Sequence, residues 1–261
     1  MALNDSATAA INKKVGLLDQ SFSRFAVRAV LAGIYLTLGT AFAGVAGNSV
    51  EALAPGLGGL TFAFLFGLGL FAIVLLGAEL ATGNMMYMVY GVVTKDVSRA
   101  KGLWLLVVTT VFNLVGAIAV AVVMGISAKF AQMDPSHLIA TLSTGKLDKD
   151  PSGMFFEAIL ANFVVNMAIV GVVFAKDIVS KFFVILPIIA LFVGLGLEHV
   201  IANFSLMTLT FFGSNPLPEG MTVGAVALNW TLVWLGNLVG GGILIGGVYA
   251  WLNKGPELYR D

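Results

Sequence analysis

GLEHVIANF, residues 196–204, sets a glutamate beside a histidine inside a run that is otherwise almost wholly apolar. A charge at the centre of a bilayer costs about 2.5–3.5 kcal/mol on insertion scales, so such residues face a bundle interior or a wet cavity. The apolar run spans roughly 182–212. That is too long for one plain crossing of about 20 residues and too short for two crossings with a loop. A broken helix satisfies both facts: two half-helices joined by non-helical backbone at membrane depth. The run at roughly 57–93 poses the same problem and carries its own polar insert, GAELATGN at 77–84. Gly77, Glu79 and Asn84 have the spacing of Gly196, Glu198 and Asn203, 119 residues earlier. A second echo, NLVGA at 113–117 and NLVGG at 237–241, lies 124 residues apart.

Four further apolar spans, near 25–47, 103–126, 154–175 and 221–252, suit one crossing each. The two echoes divide the six spans into related halves, about 25–126 and 154–252. An odd number of crossings per half forces the halves to insert upside down relative to each other. Inverted repeats with broken helices at matching places point to a transport pathway near the midplane. The expected fold is an all-α integral membrane bundle of six helices, with the second and fifth broken. Composition agrees: of 261 residues 59% are hydrophobic and 11% charged, against about 25% charged in soluble domains. Mean hydropathy is +0.97.

Residues 1–24 are polar and lack the apolar core of a signal peptide. They read as a cytoplasmic segment, residues 253–261 as a cytoplasmic tail, and the part up to Asp19 as a helix lying on the inner surface. With the N-terminus inside, Lys13, Lys14, Arg24, Arg28, Lys95, Arg99, Lys101, Lys176, Lys181, Lys254 and Arg260 are cytoplasmic, and only Lys129, Lys146 and Lys149 lie outside. This is the positive-inside bias of a cell-membrane protein. Trp104, Tyr249 and Trp251 fall at the inner interface. A formal net charge of zero suggests no nucleic-acid partner. There is no cysteine, and one of the two histidines, His137, falls in the outer loop. No metal cluster or cofactor is expected, and neither an intramembrane enzyme nor a redox anchor fits. Gly240, Gly241, Gly242, Gly246 and Gly247 read as surfaces for close helix packing.

His199 has two readings: a buried imidazole satisfied by a backbone carbonyl, or the functional centre of a purposeful break. The repeat favours the second. Amides freed at a break need acceptors, because lipid supplies no water. Glu79 and Glu198 are read first as caps for the half-helix N-termini. Asn84, Asn203, Asn113 and Asn237 can satisfy broken backbone or bond across helices.

The segments GAELATGN, EAILANF (157–163), GLEHVIANF and GNLVGGGILIG (236–246) resemble the formate/nitrite transporter family, with the likeness running from about 25 to 251. The resemblance implies an aquaporin-like protomer, a homopentamer, and passage of small monovalent anions or their acids. Candidates are formate, nitrite and hydrosulfide, with lactate or acetate in some members. It also implies site residues: His199, Glu198, Thr82 and Asn237 at the centre, and Lys146 and Asn162 drawing anions to the vestibule. Phe66, Leu70, Leu80, Val165 and Phe192 form the apolar constrictions. Many members carry phenylalanine where this chain has Ala81. A smaller side chain is expected to widen the outer constriction and to favour lactate or acetate. The function expected is pH-dependent transport of formate and related monocarboxylates by proton-assisted passage past His199. The alternatives are a nitrite or hydrosulfide channel of the same family and a neutral-solute facilitator for water or glycerol.

Overall fold

A computed structural model describes residues 3–254. The end of the expected tail, 255–261, lies outside the described residues. Five described helices are long and apolar enough to cross a membrane. They are α2 (Phe22–Leu53), α3 (Gly58–Leu76), α5 (Arg99–Gly125), α7 (Pro151–Phe174) and the rod from Val223 to Leu252. That rod is α10 (Val223–Asn237), a π-helical stretch (Leu238–Gly247) and α11 (Val248–Leu252) in one run. The second span is α3 followed by α4 (Ala81–Thr94), and the fifth is α8 (Ile178–Gly194) followed by α9 (Val200–Gly213).

Both breaks are built alike. Gly77 (φ +67) and Gly196 (φ +68) take the left-handed conformation that a side chain disfavours. The next amide then reaches five residues back: Ala78 N–H donates to Ile73 O at 3.0 Å, and Leu197 N–H to Phe192 O at 3.2 Å. This is the closing bond of a Schellman turn. Each half-helix therefore stops cleanly, and the chain runs extended for a few residues before restarting.

Small residues bring the scaffold helices together. A Cβ on Gly116 would stand 2.1 Å from Val30 O, and one on Gly240 would stand 1.9 Å from Ile159 O. Thus α5 lies backbone-to-backbone on α2, and the last rod on α7, which supports the packing reading of the glycine stripe.

Three features differ from expectation. Helix α2 has 32 residues, so it overshoots the expected 25–47 at both ends. The outer loop contains a helix, α6 (Leu138–Leu147), started by His137, whose Nδ1 accepts from Ile139 N–H at 3.2 Å. Finally, α1 (Leu3–Gln20) does more than lie on a surface. Leu3, Ala7, Ile11 and Leu18 are buried, and Tyr90 donates to Asn4 Oδ1 at 2.6 Å. The helix is docked on the bundle with an apolar stripe, and its lysines are carried to one end of the pathway described next.

Candidate functional site

The restarting half-helices need acceptors for their first amides, and asparagines supply them. Asn113 Oδ1 accepts from Ala81 N–H at 2.9 Å, while its Nδ2 donates to Ala29 O and Glu79 O at 2.7 and 2.9 Å. Asn237 does the same in the other half. Its Oδ1 accepts from Val200 N–H at 2.9 Å, and its Nδ2 donates to Ala158 O and Glu198 O at 2.8 and 2.9 Å. Each amide stitches a half-helix start to a neighbouring scaffold helix. This corrects two expectations. Asn237 takes the backbone-holding role read from the break and not the central one implied by the resemblance, since it has no free donor for an anion. The glutamates do not cap the half-helices.

Glu79 and Glu198 hold lysines instead. Lys14 Nζ, from α1, sits 2.7 Å from Glu79 Oε2. Lys146 and Lys149 sit 3.0 and 2.7 Å from Glu198 Oε1. Each carboxylate also accepts from the predicted asparagine: Asn84 Nδ2 donates to Glu79 Oε2 at 3.0 Å, the oxygen that Lys14 also holds, and Asn203 Nδ2 donates to the second oxygen of Glu198, Oε2, at 2.6 Å. The left-handed glycines are held as well. Arg28 donates to Gly77 O at 2.8 Å, and Lys149 to Gly196 O at 2.7 Å. Burial draws the Lys146 ammonium below its usual range, against the pull of Glu198. Burial also opposes the Lys149 charge, but the Glu198 and Glu157 carboxylates outweigh it and raise Lys149.

The two breaks meet at one hydrogen bond. His199 is the residue before α9, and its Nδ1 accepts from Ala202 N–H at 3.2 Å. A neutral ring so capped carries its hydrogen on Nε2, which donates to Thr82 Oγ1 at 2.8 Å. Thr82 lies in the first turn of α4. Imidazole and hydroxyl therefore come from opposite halves. Both are buried, Thr82 fully and His199 with 3% exposure. Thr82 O accepts from Asn162 Nδ2 at 3.2 Å and Asn166 Nδ2 at 3.3 Å. Asn162 also donates to Asn237 O at 2.8 Å and accepts from Asn166 Nδ2 at 2.9 Å. The expected vestibule role of Asn162 is corrected: it is fully buried and fixes the backbone behind Thr82.

Two cavities approach this pair from opposite ends. One, about 550 Å³, has Lys146 and Lys149 in its wall and reaches Phe66 and Phe192. The other, about 410 Å³, has Lys14 and Arg28 in its wall and reaches Leu70 and Leu80. Phe66 and Leu70 are one turn apart on α3, about 6 Å. Chain directions confirm the inversion: α3 runs from the Lys146 cavity to the Lys14 cavity, and α8 runs from Lys181 in the latter to Phe192 in the former. The Phe66 and Phe192 rings meet edge to face at 5.9 Å, and Phe192 lies 5.7 Å from the imidazole. Val165 is buried and lines neither cavity. Ala81 is fully buried and also lines neither cavity; its neighbour Leu80 lines the one on the Lys14 side, so the expected place of Ala81 in the outer constriction is corrected.

Sequence reasoning missed Lys14, Arg28, Lys149, Glu157 and Asn166 as parts of this arrangement. A third echo could have found two of them. RAVLAGI at 28–34 matches EAILANF at 157–163, and it aligns Arg28 with Glu157.

Comparison with known proteins adds the following. The family model described as "Formate/nitrite transporter" matches residues 2–251. A "Probable formate transporter" of Methanothermobacter thermautotrophicus is 32% identical, over 94% of this chain and 92% of its own length. A solved "FNT family ion channel" superposes with a TM-score of 0.90 at 26% identity, covering 97% of this chain and 99% of that one. A "Pentameric formate channel with formate bound" superposes with a TM-score of 0.74 at 23% identity, over 88% and 96% of the two chains. The fold these chains share is the aquaporin-like six-helix bundle expected from the sequence.

Proposed function

Because the chain belongs to the formate/nitrite transporter family and is a multi-pass membrane protein of that fold, we propose that it passes formate and related monocarboxylates through each protomer of a homopentamer, with a proton added at the centre. The observation that carries this reading is the His199–Thr82 bond, buried between two cavities that end at apolar side chains. A bare anion entering either slit loses its hydration at large cost. The lysines at both mouths raise local anion concentration. At the centre the Thr82 hydroxyl accepts from His199, which leaves its own O–H free to point at a guest. Imidazole titrates near pH 6.5 in reference compounds and suits proton exchange. An imidazole that gains a proton and hands it to the anion ends the step neutral, as it began. The acid leaves uncharged and ionises in the far cavity. The pathway is placed in the cell membrane with both termini cytoplasmic, on the strength of the lysine and arginine bias.

Uptake of formate, nitrite, lactate and glycerol into proteoliposomes tests this, with and without a pH gradient. Formate and lactate uptake should rise steeply when the outside is acid, and glycerol should not enter. Gradient-independent glycerol swelling would instead mark a neutral-solute facilitator.

The narrowing variant Ala81→Phe tests selectivity. Ala81 is fully buried next to Leu80 in the chain, and a phenylalanine there is expected to crowd the slit that Leu80 lines. Lactate, the larger acid, should lose about tenfold more flux than formate, since shape discrimination of this kind is worth about 1–3 kcal/mol. Equal losses for the two acids would remove the widened-filter argument.

A further inference from the structure

The cavity on the α1 side is more cationic than monovalent passage requires. Lys13, Lys14, Arg28 and Lys181 line it, and Glu79 is the one carboxylate in its wall. Lys14 is committed to Glu79 at 2.7 Å, and Arg28 gives one nitrogen to Gly77 O. The side chains of Lys13 and Lys181 make no hydrogen bond or ion pair among the described residues. The opposite cavity is different. Its two wall lysines, Lys146 and Lys149, both lean on Glu198.

We propose that this cavity is a binding site for a phosphate oxyanion that occupies it without crossing, and so closes the pathway from the α1 side. The inference goes beyond the weak-acid reading but rests on it for the word "closes". Ammonium and guanidinium donors converging from several elements suit phosphate oxygens. The cavity's 410 Å³ is ample for phosphate or a small phosphorylated metabolite. A phosphate monoester carries about −1.5 to −2 at pH 7. One proton turns formate into a neutral acid but leaves a phosphate dianion charged. The apolar step beyond Leu70 and Leu80 is therefore open to the first and shut to the second. A lipid head group offers the same chemistry as free phosphate, so the source has to be separated by experiment.

Calorimetry on the full chain in phosphatidylcholine nanodiscs, titrated with inorganic phosphate at constant ionic strength, reads the site without any transport. Saturable binding is expected. Lys13→Gln with Lys181→Gln should weaken it about tenfold, the loss of two solvent-facing charges. The same double variant should keep formate uptake and its rise at acid pH in phosphate-free buffer, slowed by no more than about twofold through the two charges missing from the mouth, because neither lysine touches Glu79, Thr82 or His199. Wild-type vesicles with phosphate on the α1 side should lose formate flux, and the double variant should need about tenfold more phosphate for the same loss. Including phosphatidylglycerol in the discs names the source: weaker phosphate binding puts the head group in the same cavity, and unchanged binding leaves the free anion as the ligand. An absence of saturable binding, or binding that ignores the double substitution, overturns the proposal. A failure of formate transport alone would instead count against the weak-acid reading.

Discussion

Formate uptake into proteoliposomes is expected to fall by about 100-fold or more when His199 is replaced by phenylalanine, the lower range of what a positioned proton donor contributes. The substitution removes two things. The imidazole Nε2 that donates to Thr82 is lost, and so is the Nδ1 acceptor that caps Ala202 N–H. A loss of transport could come from either. His199→Asn separates them. Asparagine is among the best residues at a helix start, so its side-chain oxygen can hold the first turn of α9, yet it does not titrate. The asparagine variant should unfold thermally close to the wild type and still show neither the formate flux nor its rise at acid pH. If uptake and pH dependence survive in His199→Asn, the ring is there to cap a helix, and the proton must travel by another group. If His199→Phe alone keeps full uptake, the central-imidazole mechanism is wrong.

The breaks were legible in the sequence because a glycine and a charge inside an apolar run have few other uses. Gly77 with Glu79 and Gly196 with Glu198 stand at equal spacing, and repetition turned two oddities into one architecture. The purpose of the charges was not legible. Glu79 looked like a cap because its ion partner, Lys14, is 65 residues away on a helix that reads as a surface segment. Asn237 looked like a site residue because the family resemblance puts it near the centre. The break had also offered it a backbone-holding role, and which of the two it takes is decided by its partners, Ala158 O and Glu198 O, separated from it by 79 and 39 residues. The third echo was hidden by charge reversal. Arg28 touches a glycine carbonyl directly, whereas Glu157 in the matching place pairs with Lys149, which makes that contact in its stead. Helix α6 escaped notice because it is short and set in a loop otherwise rich in charge. Local patterns announced where the chain must bend, and pairings across long separations decided what each polar group does there.

Those pairings imply a second large effect, on stability. Asn237→Leu keeps the volume and removes both functions of the amide. Val200 N–H and Glu198 O then lose their partner, and Ala158 O, inside α7, loses a second one beyond its helical bond. All three surround a fully buried side chain. An orphaned buried donor or acceptor costs about 1–3 kcal/mol, so the two orphaned groups should cost the variant at least about 2 kcal/mol. Asn113→Leu should lose a similar amount, because it orphans Ala81 N–H and Glu79 O and takes the second bond from Ala29 O, inside α2, in the same pattern. Asn237→Asp keeps the acceptor for Val200 N–H but not the donors, and should fall between wild type and leucine. Thermal unfolding of purified protein in one detergent, followed by loss of the monodisperse peak, measures all three beside His199→Asn. Were Asn237 a substrate group instead, its leucine variant would keep the wild-type unfolding temperature and lose transport alone, while Asn113→Leu remained unstable. Matched destabilisation of the two leucine variants is the result that the inverted geometry requires, since each asparagine ties one half-helix to its scaffold by the same set of bonds.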